Sequence, residues 1–361
     1  MEKKERLFSL DVLRGLDMLL LVIVGPLIQQ ANIAWHFPAG FMGQFRHGWE
    51  CFTLWDVIMP LFIFMCGAAV PLALERRLKE GPAAFWRHVL GRVALLWFLG
   101  LLVQGRLAAL NPLTFDPFSN TLQSIAVGYL AAAAVMCVPS RAFGVGVTVA
   151  LALVYTLCLA FGGDYTEFGN CAFKVDHWVH GLILPAEHER LVHPYFYTWY
   201  LTSLMFAVMT LCGYHATRIL QTDWTKRRKA LSLFAYGAGL LVLGFAVAPW
   251  IPVIKPIFTL SFTAQAMGWS VLMLAVLYVV TDVLMFRRGW WLVLLFGQYA
   301  LAAYFVSHFF RSVLEAFGKT VLQGVLPHLT ETTRPFAVQV AVSVALVLFL
   351  CVWRDRKHGL K

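Results

Sequence analysis

Long apolar stretches recur along the whole chain, separated by short segments that carry most of its charge. Each stretch has about 20 residues, enough for an α-helix to cross a hydrocarbon core of roughly 30 Å. The pattern predicts an all-α polytopic membrane helix bundle with about ten transmembrane helices, forming a single domain over residues 1–361. The predicted spans are residues 9–30, 52–75, 88–105, 120–138, 142–162, 196–219, 230–250, 256–282, 290–313 and 335–353.

The composition agrees with this pattern. Hydrophobic residues make up 60% of the chain and charged residues only 13%, with a mean hydropathy of +0.71. Soluble domains carry about 25% charged residues, so a soluble core would not absorb this much apolar surface. The composition therefore excludes an ordinary soluble protein.

The positions of the basic residues predict the orientation. If the connections alternate between two sides, 21 of the 29 Lys and Arg residues fall on one side, together with both termini. Cytoplasmic ends of membrane proteins accumulate Lys and Arg, so we expect both termini in the cytoplasm. The net charge of +10 then follows from topology and calls for no nucleic-acid partner.

Three ionisable residues interrupt the first apolar stretch. Asp11, Arg14 and Asp17 are spaced three apart and therefore share one helix face. Ionisable groups in a span normally face a protein or water-filled interior, where they are candidates for function. An equally good interpretation is that Arg14 only neutralises the two acids and locks the helix into the bundle.

The segment from Arg46 to Gly67 carries a second group of candidates. His47 lies in the predicted outer loop, and its side chain is suited to proton transfer near neutral pH. A lone loop histidine is more often simply solvated. Asp56 lies just inside the second span, where it orients His47 or caps and pairs within the bundle.

Several motifs in this chain occur in the order and spacing of one family. They are SLDVLRGL, HGWECFTLWDVIMPLFIFMCG, LQSIAVGY, the loop from Asn170 to Asp176, KPIFTLSF and FGQYALAAYFVSH. Together they resemble the heparan-α-glucosaminide N-acetyltransferases and their bacterial relatives. The first two motifs are the most specific, and Cys51 stands where the family has a glycine.

The resemblance implies a function. In that family, acetyl-CoA supplies an acetyl group from the cytoplasm, and the group reaches the amine of a terminal glucosamine on the other side of the membrane. His47 and Asp56 then match the catalytic positions. We expect acetyl-CoA as acyl donor, an amino sugar or related glycan as acceptor, and the bilayer and a second copy of the chain as partners. The expected location is the bacterial inner (plasma) membrane.

Further residues are assigned by motif or by charge. The residues expected to bind the cofactor are Arg14, Arg76, Arg77, Arg92, Gln123 and Arg218. The residues expected to bind the acceptor are Asp11, Trp49, Asn170, Asp176, Lys255 and His308. For each basic residue the positive-inside rule is the simpler explanation, and a glutamine in a span usually makes an interhelical hydrogen bond.

The loop over residues 163–195 is long and rich in histidine and aromatic residues. Its histidines have loose spacing and no cysteine pair, so we expect no metal. Its aromatic side chains are candidates for stacking on a pyranose: Trp178, Tyr195 and, just beyond it, Tyr197 and Trp199. A disulfide between Cys51 and Cys171 is conceivable, although sequence spacing does not establish one.

The favoured hypothesis is therefore a transmembrane acetyltransferase. His47 would act either as a general base on the acceptor amine or as a nucleophile that carries the acetyl group. A secondary transporter or channel for a small solute is the rival, because it would use the same intramembrane Asp and Arg residues. A helix bundle without chemistry is the third alternative.

Overall fold

The structure is a computed structural model that describes residues 7–105, 107, 109–193 and 195–359. Five of the basic residues that predict the orientation lie outside these ranges: Lys3, Lys4, Arg6, Arg106 and Lys361. The described residues form sixteen α-helices and no strand, apart from one isolated β-bridge. The expected all-α architecture is confirmed.

Six helices are long and apolar enough to cross a membrane. A bent pair, Trp291–Gln298 and Ala300–Phe309, forms an angle of 78° and would make a seventh span if the two helices cross together. Thr121–Met136 is a shorter apolar helix. The prediction of ten spans is thus supported for six or seven, while the other spans and the orientation of the termini stay predictions.

The chain is organised as two compact units. Unit 1 comprises Met1–Arg46, Thr53–Ile58 and Leu277–Lys361, and unit 2 comprises His47–Phe52 and Met59–Val276. The expectation of one domain over residues 1–361 stays a prediction. His47 belongs to unit 2 and Asp56 to unit 1, so the two candidate catalytic residues are described separately below.

Unit 1 contains the first and last helices. Its helices are α1 (Phe8–Leu19), α2 (Gly25–Trp35), α3 (Ala39–Gly43), α13 (Trp291–Gln298), α14 (Ala300–Phe309), α15 (Arg311–Val321) and α16 (Arg334–Gly359). Two π-helical turns, Leu20–Val24 and Val279–Val283, and two 3₁₀ turns, Leu54–Val57 and Leu326–His328, complete the unit. The first π turn leads into Pro26, which lacks the amide hydrogen that a regular helix needs.

Two glycines let α1 and α13 pack backbone against backbone. A Cβ on Gly15 would lie 1.9 Å from the carbonyl oxygen of Val293, and a Cβ on Gly297 would lie 2.1 Å from that of Asp11. The contact joins the SLDVLRGL motif to the FGQYALAAYFVSH motif, which are far apart in sequence. Small residues are what membrane helices use for such close approach.

The N-terminus of α1 is held by a remote carboxylate. Asp282 accepts hydrogen bonds from the backbone N–H groups of Phe8 (3.2 Å) and Ser9 (3.0 Å). Arg287 lies 3.7 Å from the same carboxylate. A carboxylate at a helix N-terminus satisfies orphan N–H groups and complements the helix dipole, so Asp282 serves as a cap.

Unit 2 contains the remaining helices. They are α4 (Ile58–Lys79), α5 (Pro82–Val103), α6 (Thr121–Met136), α7 (Arg141–Gly162), α8 (Cys171–Ile183), α9 (Glu189–Val192), α10 (Ser203–Leu220), α11 (Lys226–Val247) and α12 (Leu260–Tyr278). Ile58 and the last two residues of α12 fall in unit 1. The centre is α10, which packs against α6 and α7.

The approach of α4 to α10 depends on glycine in the same way. A Cβ on Gly67 would lie 1.8 Å from the Thr210 carbonyl oxygen, and one on Gly213 would lie 1.9 Å from that of Phe64. Thr217 also donates a hydrogen bond to the Ala68 carbonyl oxygen at 2.7 Å. The second specific motif of the sequence therefore ends in a tight helix crossing.

The close approach at Gly15 gives a stability prediction. Gly15→Ala should destabilise the protein by about 1–3 kcal/mol, because the new methyl group meets backbone that has no rotamer to escape into. The matched control is Gly146→Ala in α7, where a Cβ meets nothing within 4 Å. Thermal unfolding in detergent measures both variants, and equal melting temperatures would contradict the packing described.

Candidate functional site

In unit 2, His47 is brought next to Lys255. The Lys255 Nζ lies 3.2 Å from the His47 Nδ1, although the two residues are 208 positions apart in sequence. His47 is exposed, whereas Lys255 is only 4% exposed. A buried ammonium group is costly unless it is hydrogen-bonded, so the contact with the imidazole helps to hold Lys255 in place.

The segment that carries Lys255 is a tightly bonded turn. Thr259 Oγ1 donates to the Pro252 carbonyl oxygen at 2.8 Å and accepts from the Ile254 N–H at 3.1 Å. Phe258 adopts a left-handed φ of +46°, which is unfavourable for a residue with a Cβ. The backbone at Lys255 is therefore fixed by its own turn.

Neighbouring segments of unit 2 hold the same turn from outside. Glu50 forms the isolated antiparallel bridge with Ile254 and so ties the His47 loop to it. The Tyr155 hydroxyl donates to the Ile257 carbonyl oxygen. Thr198 donates its N–H to the Pro256 carbonyl oxygen at 3.3 Å. Three separate parts of the chain thus hold the backbone on both sides of Lys255.

Trp49 is the other anchored residue of the His47 loop. Its Nε1–H donates to the Tyr165 carbonyl oxygen at 2.9 Å, and its ring meets Phe196 edge-on with centroids 6.1 Å apart. Trp49 is half-buried. The structure therefore gives it a positioning contact; binding of an acceptor by Trp49 stays a prediction.

Asp176 supports this layer from α8. Its carboxylate accepts hydrogen bonds from the backbone N–H groups of Trp199 (2.8 Å) and Tyr200 (3.0 Å). Burial raises the pKa of Asp176 to about 7, against the opposing effect of the two N–H donors. Because Thr198 precedes Trp199, Asp176 steadies the segment that bonds to Pro256.

A charged network beside Asp176 was missed by the sequence analysis. Asp116, 1% exposed, accepts a hydrogen bond from the Arg190 Nε at 2.6 Å and lies 3.9 Å from the His180 Nε2. Burial lowers the pKa of His180 to about 4, although Asp116 opposes the shift. His188 caps the short helix α9 and bonds to the Phe115 carbonyl oxygen at 2.8 Å.

These contacts explain the composition of the 163–195 loop. His177 and His180 pack against aromatic rings, and His188 caps α9. No group of three or more His, Cys, Asp or Glu side chains suited to a metal is found among the described residues. The described part of the chain also contains no disulfide, so Cys51 and Cys171 are both thiols. Of the aromatic candidates for a sugar, Trp178 and Tyr195 are exposed, while Trp199 is only 6% exposed.

Two candidate residues of unit 2 are engaged in helix caps. Gln123 accepts from the backbone N–H groups of Ser119 and Asn120 and donates to the Pro117 carbonyl oxygen, which completes a capping box on α6. Asn170 caps α8 by accepting from the Phe173 N–H at 2.7 Å. Both side chains are fully buried, so contact with a cofactor or acceptor would require these bonds to open.

In unit 1, Asp56 also forms a capping box. Its Oδ2 accepts from the Thr53 N–H (3.0 Å) and from the Thr53 Oγ1 (2.8 Å) at the start of the 3₁₀ turn before α4. Asp56 is 1% exposed. The capping alternative raised by the sequence is what the structure displays, and a catalytic role for Asp56 stays a prediction.

The other candidates of unit 1 lie on α1 and α14. Arg14 is 3.9 Å from Asp11, a distance that allows only a weak ion pair. Asp17 is completely buried, and neither carboxylate oxygen has a hydrogen-bond partner among the described residues. His308 stacks on Tyr304 with centroids 4.3 Å apart.

The predicted cofactor arginines of unit 2 divide into two groups. Arg76 and Arg77 are exposed and pair with Glu80, at 3.3 Å and 2.7 Å. Arg92 lies over the Tyr129 ring at 5.3 Å, and Arg218 lines a cavity. Arg76 and Arg77 lie in the last turn of α4 and Arg218 in the last turn of α10, whereas Arg92 lies in the middle of α5. Binding of a cofactor by any of the four stays a prediction.

The comparisons with known proteins agree with the resemblance seen in the motifs. A family model described as "Domain of unknown function (DUF5009)" matches residues 6–126. The chain is 24% identical over 349 residues to heparan-alpha-glucosaminide N-acetyltransferase of Homo sapiens, covering 79% of this chain and 50% of that protein. It is 27% identical over 135 residues to the protein of that name in Mus musculus, covering 36% of this chain and 19% of that protein.

The chain therefore spans about half the length of the human protein. These findings confirm the chain as a relative of the heparan-α-glucosaminide N-acetyltransferases, as the motifs predicted. The first two motifs both lie within the region that the family model matches.

Burial of Asp176 gives a pH prediction. The folded protein holds the Asp176 proton more tightly than the unfolded chain does, because the folded pKa of about 7 exceeds the ordinary value of 3.8. This contribution to stability is complete below about pH 4 and is lost as the pH rises toward 7, by at most about 4 kcal/mol. Asp176→Asn removes it, so the wild type should lose stability relative to that variant between pH 5 and pH 8.

Melting temperatures in detergent across this pH range measure the difference. The control is Asp164→Asn, since Asp164 is exposed and hydrogen bonds from Thr166 hold its pKa below the usual value, outside the range tested. A constant difference between wild type and Asp176→Asn would show that Asp176 does not titrate in this range.

Proposed function

We propose that this protein is a transmembrane acetyltransferase that moves an acetyl group from acetyl-CoA to the amine of an amino sugar or related glycan. The observation that carries the proposal is the contact between His47 and Lys255. It joins two sequence motifs shared with a family of N-acetyltransferases and places an imidazole beside a buried amine. The name that both relatives carry supports the reaction class.

The contact with Lys255 constrains which nitrogen of His47 reacts. If Lys255 is an ammonium, it donates to Nδ1 and the neutral ring carries its proton on Nε2. If Lys255 is a neutral amine, Nδ1–H donates to it and Nε2 presents a lone pair. We assign the reaction to Nε2, with the Lys255 amine accepting from Nδ1 when His47 acts as a base or nucleophile.

Two routes are consistent with this assignment. In the direct route, the acceptor nitrogen bonds to the thioester carbonyl carbon, the C–S bond breaks, and His47 takes the amine proton and returns it to the CoA thiolate. In the two-step route, Nε2 bonds to the carbonyl carbon and the C–S bond breaks to release the thiolate. The acceptor amine then displaces the imidazole, and the proton that the amine loses ends on the thiolate. Both routes end in the same amide and CoA thiol.

In this proposal, the thioester of acetyl-CoA must reach the His47 loop, which lies far from the basic ends of the helices. Helix α7 starts at Arg141 and ends at Gly162, three residues before the Tyr165 that anchors Trp49. Its 22 residues span about 33 Å. We propose that the nucleotide lies near the basic ends, with Arg76, Arg77 and Arg92 as its partners, and that the acyl arm enters the bundle.

The remaining features of the proposal concern topology and setting. We propose ten spans with both termini in the cytoplasm, as the distribution of Lys and Arg predicts, within the bacterial inner membrane. Acetyl-CoA would then bind from the cytoplasm and the glycan from the other side. Asn170 and Asp176 steady the layer around the exposed His47, and binding roles for Asp11, Arg14, Gln123 and His308 stay predictions.

One observation favours transport as a second candidate function. Asp17 is a completely buried carboxylate without a hydrogen-bond partner among the described residues. A buried acid in a membrane helix is a candidate proton or cation binding group in a transporter. This group is independent of the His47 and Lys255 pair, so the two functions make different predictions.

The acetyltransferase proposal predicts a clear effect at His47. His47→Ala should lower acetyl transfer from acetyl-CoA to glucosamine by at least about 100-fold, since it removes the acid–base or nucleophilic group. Lys255→Met should lower kcat and shift its pH profile, with KM for acetyl-CoA unchanged, and Lys255→Arg should not restore the rate, because a guanidinium has no lone pair to accept from Nδ1–H. Transfer measured with radiolabelled acetyl-CoA in liposomes gives these values, with His193→Ala as the control.

Transport would give the opposite pattern. If purified protein binds no CoA, and solute flux into liposomes survives His47→Ala but is abolished by Asp17→Asn, the acetyltransferase proposal is wrong.

A second experiment separates the two chemical routes. With acetyl-CoA and no acceptor, the two-step route predicts a burst of one CoA thiol per protein, because Nε2 is acetylated and waits for an amine. The direct route predicts no burst. A thiol-reactive dye measures the release, and His47→Ala must abolish any burst that comes from this residue.

A further inference from the structure

Unit 2 contains a lateral cavity that the proposed chemistry does not use. It has a volume of about 530 Å³ and lies between α4, α7, α10 and α11. Its wall includes Arg141 at the first residue of α7 and extends to Val149. Val149 precedes the end of α7 by 13 residues, about 20 Å, so the cavity is remote from the His47 loop.

One end of the cavity is cationic. Arg141 and Arg218 both line it, together with Tyr214. Within the described ranges no carboxylate lies within 4 Å of either arginine. Glu75 also faces the cavity, but it forms an ion pair with Lys79 at 3.6 Å that offsets its charge. The end therefore attracts an anion.

The remainder of the cavity is apolar and opens toward the exposed face of α7. Val145 and Val149 line it, and each is 51% exposed. In a helix apolar enough to cross a membrane, such side chains face lipid. The polar side chains His215 and Thr148 in the wall hydrogen-bond to each other at 3.0 Å, so these polar atoms are satisfied without a ligand.

We infer that this cavity binds an anionic phospholipid, with its phosphate on Arg141 and Arg218 and an acyl chain along Val145 and Val149. The occupant must be amphiphilic because the cavity is cationic at one end and apolar at the other. Basic pockets between transmembrane helices recognise anionic headgroups. The lateral opening onto exposed valines favours entry from the bilayer, which a free nucleotide would not use.

The test uses delipidated full-length protein titrated with phosphatidylglycerol or phosphatidylcholine and examined by native mass spectrometry. Wild type should bind one phosphatidylglycerol at least tenfold more tightly than phosphatidylcholine. Arg141→Gln with Arg218→Gln should erase that preference, because the charge that distinguishes the two lipids is gone. Arg227→Gln, an exposed basic residue outside the cavity, should leave it unchanged.

The apolar part has its own matched pair of variants. Val149→Trp should fill the cavity and weaken binding of phosphatidylglycerol at least tenfold. Val154→Trp on the same helix is the control, because Val154 is also 51% exposed but does not line the cavity. All five substituted positions are at least partly exposed, and melting temperatures confirm that each variant is folded.

Three results would overturn the inference. The first is equal retention of phosphatidylglycerol by wild type and the double arginine variant, and the second is identical lipid binding by Val149→Trp and Val154→Trp. The third is displacement of the lipid by acetyl-CoA in proportion to CoA bound, which would assign the cavity to the donor. Lipid binding with no acetyl transfer would leave this inference standing and remove the proposed function instead.

Discussion

Burial of the Lys255 amine beside an exposed imidazole is the constraint on which the candidate site depends. A charged or polar amine that is 4% exposed must be hydrogen-bonded, and its stem must be held rigidly for the bond to form. The fold meets this need with a self-bonded turn around Thr259 and with supports from Glu50, Tyr155 and Thr198. Loops and helix ends of unit 2 therefore hold the contact between His47 and Lys255 in place. The residues that hold it are far apart in sequence because they come from several segments of the chain.

Several other polar side chains of the apolar chain form hydrogen bonds with backbone N–H groups at the starts of helices. Gln123, Asn170 and Asp56 complete helix caps, and Asp282 does the same for α1 from more than 270 residues away. Each satisfies N–H groups that water would otherwise reach in a soluble protein. The motifs of this chain thus contain helix caps and glycine crossings as well as candidates for chemistry. Asp17 differs from the capping residues because its carboxylate accepts no hydrogen bond among the described residues.

The sequence predicted the helices well because hydropathy acts locally, and a run of apolar residues needs no knowledge of its partners to be recognised. It did not predict Asp116 with Arg190, or His180, because a loop histidine or acid looks the same whether it is solvated or buried in a network. The sequence predicted the His47 and Lys255 pair only in part. Both residues were singled out by their motifs, but their contact spans 208 positions, and only the folded turn at Pro252–Thr259 brings them together.

Helix α7 separates the cavity with Arg141 at one end of unit 2 from the His47 loop at the other. Arg141 and the cavity belong to the first turns, whereas Tyr165, Trp49 and the His47 loop lie beyond the last. Groups at the two ends of unit 2 cannot both contact the same thioester, because about 33 Å of helix separates them. Charge at the basic end can therefore orient a nucleotide or a lipid headgroup without acting on the reacting carbonyl. In the proposed acetyl transfer, the catalytic proton would therefore come from groups at the far end, where the Lys255 and His47 pair lies.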